Sequence, residues 1–253
     1  MGIREAIPQP AAPVAAAPVA VNTTETPNEI LYVDASPALE WLTTEVNTCA
    51  ASIPGLSVVM NAAPSSSATS QSLQLRWGQP PVLDQDAVVI GEDDLVFIVH
   101  PENTLDALPL DLLQQMASGK LKEWSAVFNA CPECFSAQPA DELYDLAVEF
   151  LLYPEGDDTR AIFEASVMAD TPLADSTAIL VPSPAEVNAE VASVINAFGF
   201  LPARAVDKLV KVIEVIDGAE PVVVTRPILA ITPSEPQAAV AQWLTCLQDQ
   251  IAP

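Results

Sequence analysis

The sequence predicts an α/β protein built as two lobes rather than one barrel. Short apolar runs of strand composition alternate with helix-patterned stretches along most of the chain, and the junctions carry Ser, Asp, Thr and Pro where helices begin. The chain has 253 residues, 50% of them hydrophobic and 17% charged, which is enough to bury a substantial core and unlike the composition of a disordered protein.

Residues 1–28 read as a flexible leader or spacer, because the Ala-, Pro-, Val- and Thr-rich stretch 8–27 has no amphipathic period. Ala11 to Val21 is short and broken by proline, and Glu5 offsets Arg4, so no secretory signal is expected within it. No later run is apolar for long enough to cross a bilayer. Glu29 to Val33 is the first strand. The turn Asp34-Ala35-Ser36-Pro37 then leads into a helix over 38–48, with Ser36 as N-cap and Pro37 as the first helical residue. Residues 56–60 form a second strand ending in a turn that holds Ser65, Ser66 and Ser67. Arg76 follows in Leu75-Arg76-Trp77-Gly78, placed either for a salt bridge or for a ligand turn. Residues 88–90 and 95–99 are two further strands, the second apolar enough to be buried.

In the helix over 110–120, Leu112, Leu113 and Met116 share a face and Gly119 ends the run. A strand over 146–153 passes through the turn 154–160 into a helix starting at Ala161. Asp158 or Thr159 is the expected cap there, and Arg160 is set either to pair with a neighbouring carboxylate or to meet an anion. A strand over 178–181, a helix over 184–196, a strand over 211–215 and β structure over 221–232 follow. The closing helix, 236–250, places Val240, Trp243, Leu244 and Leu247 on one face.

The 34 acidic and 9 basic residues give a formal charge of -25, which opposes binding to nucleic acid or anionic lipid, and no basic run offsets it. The leader adds little to this, with only Glu5 and Glu25 against Arg4. His100 is the single histidine, so a multi-histidine metal centre is excluded and histidine-based hydrolase chemistry loses support. Asp157-Asp158 alone offers no full ligand set for a divalent cation. Neither a cofactor nor an enzymatic activity is expected. Trp41, Trp124 and Trp243 read as packing residues, and Trp77, beside a possible cleft turn, is the exception to watch. Cys49, Cys131, Cys134 and Cys246 allow two disulfides without fixing either. The CxxC at Cys131 and Cys134 suits a local disulfide better than zinc, which wants a second close pair or histidines, and better than a reactive dithiol, which acidic surroundings disfavour.

Four stretches, in order, resemble the phosphate-binding branch of the extracytoplasmic solute-binding proteins of ABC transporters. Asp94 to Asn103 looks like the strand and turn that enter that family's second lobe, and Leu110 to Trp124 resembles its helix followed by Gly-Lys-x-x-x-Trp. Glu155-Gly156-Asp157-Asp158-Thr159-Arg160 stands in the place of its anion-binding Gly-Ser-Gly-Thr-Arg turn, and residues 197–201 resemble its hinge-side Gly-Tyr segment. The resemblance implies a two-lobed periplasmic-binding-protein-like fold, type II-like, with mixed sheets flanked by helices. One lobe would be 29–93 plus 200–253, the other 94–199.

It further implies non-catalytic capture of a small solute in an interlobe cleft by an extracytoplasmic monomer, secreted or tethered at the cell surface, that serves an ABC transporter permease. The implied ligand residues are Ser36, Ser66, Ser67 and Arg76 on the first lobe and Asp158, Thr159 and Arg160 on the second. Asp157 and Asp158 replace serine and glycine of the family's turn and would repel a dianion, so an oxyanion or carboxylate other than phosphate is expected. The alternative is an acidic extracellular scaffold or protein-interaction domain that has lost solute binding. Ser36, Ser66, Thr159 and Arg160 gathered around a cavity would favour capture, whereas their separation, with Arg160 tied to an acid, would favour the scaffold.

Overall fold

The computed structural model describes residues 29–62, 73–78, 86–169, 171–174, 177–232 and 234–252. In chain order these form β1 (Glu29–Ala35), a 3-10 turn (Pro37–Leu42), α1 (Thr43–Ala51), β2 (Leu56–Ala62), β3 (Leu73–Trp77), β4 (Asp86–Val99), β5 (Ala107–Pro109), α2 (Leu110–Ala117) and α3 (Trp124–Ala130). There follow α4 (Asp141–Tyr144), β6 (Glu149–Leu152), α5 (Asp158–Phe163), a π-helical turn (Glu164–Met168), β7 (Ile179–Leu180) and α6 (Pro184–Ser193). The chain closes with β8 (Ala197–Pro202), β9 (Lys211–Asp217), β10 (Glu220–Pro221), β11 (Thr225–Thr232) and α7 (Ala238–Ile251).

Two expectations change at this level. The helix predicted over 38–48 is split, because Leu39 leaves helical backbone (φ -106°, ψ 17°) and the chain runs as a 3-10 turn before α1 starts at Thr43. Ser36 stands at the N-cap position, yet its side chain caps nothing. The two strands predicted over 88–90 and 95–99 are one 14-residue strand, β4. Its polar middle, Gly91 to Asp94, stays extended because β11 pairs along it from Asp86 to Asp94 across a bulge at Ile228/Leu229.

β4 carries the architecture. Its first part belongs to a sheet ordered β2-β1-β3-β11-β4, in which β1 lies parallel to both β2 and β3. Its last part, Leu95 to Val99, pairs with β8, and Phe97 to Val99 pair also with β9. β6 and β7 extend this second sheet beyond β8, and β5 and β10 flank β9. Residues 200–202 and 211–217 thus hydrogen-bond with the second sheet.

On the first sheet, α1 packs beside α7, joined by the Cys49–Cys246 disulfide, and Trp243 donates its indole N–H to the Val46 carbonyl at 3.2 Å. The predicted face of the closing helix, Val240, Trp243, Leu244 and Leu247, is buried. On the second sheet, α6 lies so close to β8 that a Cβ on Gly199 would sit 2.6 Å from Val187 Cγ1. Phe97, Phe150, Phe163, Phe198 and Phe200 fill the interior, with Phe163 stacked on Phe200 at 4.2 Å. Cys131 and Cys134 form the second disulfide. No helix among the described residues is long and apolar enough to cross a membrane.

Candidate functional site

The carboxyl ends of β1, β2 and β3 face the second half of the molecule, where α5 and α6 begin. This is the usual place for a ligand in a parallel α/β sheet, because helix starts and strand ends leave backbone groups unpaired there. β3 presents Arg76, and α5 presents Asp158. The guanidinium donates from Nε to Asp158 Oδ2 at 2.8 Å and from Nη2 to Oδ1, and the Trp77 backbone N–H adds a third bond to Oδ2 at 3.1 Å. Arg76 is 7% exposed and Asp158 6%. The result is a buried bidentate pair joining the two halves, in which Asp158 holds the position that a bound carboxylate would take.

Asp157, not Asp158 or Thr159, caps α5. Its backbone is extended (φ -76°, ψ 141°) while Asp158 is already helical, so only the Asp157 side chain can turn back to accept from the Thr159 N–H at 2.8 Å and the Arg160 N–H at 3.4 Å. Burial, with the Asp158 charge beside it, raises the Asp157 pKa to about 6, against the pull of these N–H groups and the Thr159 hydroxyl.

The other expected residues fall in three places. Thr159 is wholly buried; its hydroxyl lies near the Asp157 carboxylate but, among the described residues, makes no bond of full hydrogen-bond geometry, and the Ser36 hydroxyl and the Trp77 indole N–H likewise find no partner among those residues. Ser36 is held by its backbone N–H on the Leu75 carbonyl at 2.9 Å, and the turn after it packs against both β3 and α5, which brings Ser36, Arg76, Asp158 and Thr159 into one neighbourhood. Arg160 points along its own helix, with Nε on Glu164 at 2.7 Å and Nη1 on the Tyr153 carbonyl at 3.3 Å. Ser66 and Ser67 lie outside the described residues.

The open space is beside this cluster. A cavity of about 410 Å³ separates Ala35, Ser36, Pro37, Met60 and Ala62 of the first half from Pro182 and Ser183 of the second, with Glu40 and Thr43 also in its wall. A second cavity, of about 330 Å³, is lined by Ala38 and Trp41 of the 3-10 turn, Pro184, Ala185 and Asn188 of α6, and Arg204. Glu40 lines both. Sequence reasoning missed this crevice, since Glu40, Trp41 and Arg204 belong to no motif and meet only through the fold. Among the described residues no group of three His, Cys, Asp or Glu side chains could hold a metal ion.

No family model and no curated protein matches the sequence. Solved structures do match in fold. A protein from Clostridium perfringens assigned as a phosphate ABC transporter substrate-binding protein, with phosphate bound, superposes with a TM-score of 0.71 at 17% identity, over 87% of this chain and 93% of its own. An ABC-type phosphate transport receptor from Vibrio cholerae gives 0.61 at 16% identity over the same shares. The reduced OxyR regulatory domain from Pseudomonas aeruginosa gives 0.56 at 14% identity, over 88% of this chain and 96% of its own. The chain has a periplasmic-binding-protein-like fold, a mixed α/β architecture with a curled sheet and flanking helices.

Proposed function

We propose that this protein captures a small solute without chemically changing it, in the crevice between its two halves, and presents it to an ABC-type permease outside the cytoplasm. The observation that carries this reading is the crevice itself, a cavity of about 410 Å³ at the carboxyl ends of two parallel strands, walled on its far side by the approach to α6. Two of the proteins that share the fold are described as ABC transporter binding components for phosphate. The two disulfides fit an oxidising compartment. We place the lobe division within β4 near Asp94 and again between β10 and β11, following the strand pairing.

Phosphate is a poor candidate for the solute. Asp158 already occupies the Arg76 guanidinium, Glu164 occupies that of Arg160, and Asp157 adds a further acid beside them. A dianion would have to displace a buried carboxylate and approach through an acidic surface. Calorimetry of the full chain against phosphate, sulfate, carboxylates, amino acids and sugars tests the reading; binding of any one supports capture, and tight phosphate binding would remove the charge argument. The second reading is an acidic scaffold that has lost solute binding, and the closed Arg76–Asp158 pair favours it. No response to any of these solutes, together with a stable complex with another extracellular protein, would establish it.

A further inference from the structure

We infer that the solute is a small zwitterion bearing an apolar chain, bound with its carboxylate on Arg204, its ammonium on Glu40 and its chain in the cavity lined by Met60, Ala62 and Pro182. This rests on the reading of the crevice as a solute site and adds the class of ligand.

Arg204 is fixed by two contacts. Its guanidinium lies 5.3 Å from the centroid of the Trp41 ring, and one N–H of Nη2 reaches the Ile251 carbonyl at 2.7 Å. Its charge also attracts the buried Asp93 carboxylate, whose Oδ2 accepts from the Arg204 backbone N–H at 3.4 Å. No further hydrogen bond of the fork is made among the described residues, and Arg204 lines the smaller cavity. A guanidinium held flat by stacking, with free N–H groups toward open space, is a ready receptor for a carboxylate.

Glu40 is the residue before Trp41 and lines both cavities. It is exposed, and its carboxylate has no hydrogen-bond or ion-pair partner among the described residues. Asp207, the other acid of the groove, is engaged by the Leu209 N–H at 2.9 Å, and Asn188 spends both ends of its amide on Ala205, Pro184 and Asp207 backbone. Glu40 and Arg204 thus bring a carboxylate and guanidinium N–H groups, neither of them in a salt bridge among the described residues, to the wall of one cavity beside Trp41, whose own indole N–H is buried without a partner among those residues. A ligand carrying only one charge would satisfy half of this arrangement. Beyond Glu40 the larger cavity is walled mainly by Ala35, Pro37, Met60, Ala62 and Pro182, which suits an aliphatic chain and offers a sugar few partners.

The probe is L-leucine, titrated calorimetrically into the full chain beside isoamylamine and 4-methylvalerate, which each keep one of its charges, and glucose and phosphate. We expect leucine to bind and each single-charge analogue to bind about tenfold more weakly or worse, the loss of one charge-assisted bond. Glu40→Gln and Arg204→Gln should each cost a similar factor, and Lys211→Gln, on the second sheet away from the groove, should cost nothing. The Glu40 side chain makes no hydrogen bond or ion pair among the described residues, and its backbone carbonyl, which accepts from Thr43, is kept in the variant, so Glu40→Gln reports on binding even if Arg204→Gln is destabilised. Leucine binding indifferent to Glu40→Gln would overturn the assignment. Binding of glucose or phosphate without leucine, or silence from all five probes, would overturn the zwitterion; solute capture itself falls only if the wider panel of sulfate, carboxylates, amino acids and sugars is silent as well.

Discussion

Removing the Asp158 carboxylate should uncover an anion site that the protein keeps filled with its own side chain. In Asp158→Ala the Arg76 guanidinium, 7% exposed in the wild-type protein, has nothing opposite it, and the Trp77 N–H loses its acceptor. Breaking a buried pair from one side costs about 3–5 kcal/mol, a large part of the roughly 5–15 kcal/mol that holds a typical domain folded. At a urea slope of about 3 kcal/mol/M this lowers the midpoint by about 1–2 M. Sulfate should then restore what the mutation removed, because its oxygens can accept from the same three N–H groups. Above its dissociation constant each tenfold rise in sulfate should add about 1.4 kcal/mol. Sulfate also stabilises proteins generally by exclusion from their surface, so the comparison is with wild type and with Arg76→Met/Asp158→Ala, which lacks the guanidinium. The assay is urea unfolding followed by tryptophan fluorescence across a sulfate series. A loss below about 1 kcal/mol would mean that water reaches Arg76 freely. A sulfate response equal in all three proteins would refute the idea that Asp158 stands in for a bound anion.

Three other outcomes are expected. Burial raises the pKa values of Asp93 and Asp157 to about 6 from 3.8, so the native state binds protons that the unfolded chain has released; these groups make the protein more stable as pH falls from about 6 toward 4 and less stable as it rises. Asp157→Asn, which keeps a capping side chain, should remove about half of that slope in urea midpoints measured from pH 4 to 7, Asp93 keeping the rest, without loss at pH 7, and an unchanged slope would refute the assignment. Replacing Cys49 and Cys246 by alanine opens a loop spanning 197 residues and should cost about 5 kcal/mol, against about 2 kcal/mol for Cys131 and Cys134, on chain entropy alone; equal losses in urea unfolding would contradict this. Gly199→Ala forces a methyl against Val187 and Val191 and should destabilise by about 1–3 kcal/mol in the same assay, weakening the seat of α6, with no change speaking against a close β8–α6 contact.

What could be read from the sequence was what local pattern determines. β1, β2 and the buried face of α7 follow from apolar period, and Gly119, at φ +68°, ends its turn as a residue without a Cβ can. The errors lie where distant pairing decided. Gly91 to Asp94 read as a break between strands until β11, over 130 residues later, was laid along them. Asp157 and Asp158 are adjacent acids with the same local signals, and the fold gives one to the helix as a cap and the other to Arg76, 82 positions away. The Cys49–Cys246 pairing had no local signal at all. The Glu40, Trp41 and Arg204 groove was invisible for the same reason, since a binding surface assembled from a 3-10 turn and a distant loop has no spacing to detect.

The arginines show how so acidic a chain keeps its halves together. With 34 acidic residues against 9 basic ones, two facing lobes would repel each other if their charges were spread evenly. Three of the arginines stand where elements of the two sheets meet. Arg76 of the first sheet holds Asp158 of α5; Arg226 of β11 reaches Ser166 of the π-helical turn at 2.6 Å; and Arg204, just after β8, reaches back to the Ile251 carbonyl at the end of α7. All three ties cross between elements of the two sheets, and a buried or half-buried tie is screened less by salt than an exposed one. Among them Arg204 alone combines free donors with an open cavity, so a ligand carboxylate at that position would bind to a fastener rather than to a passive wall.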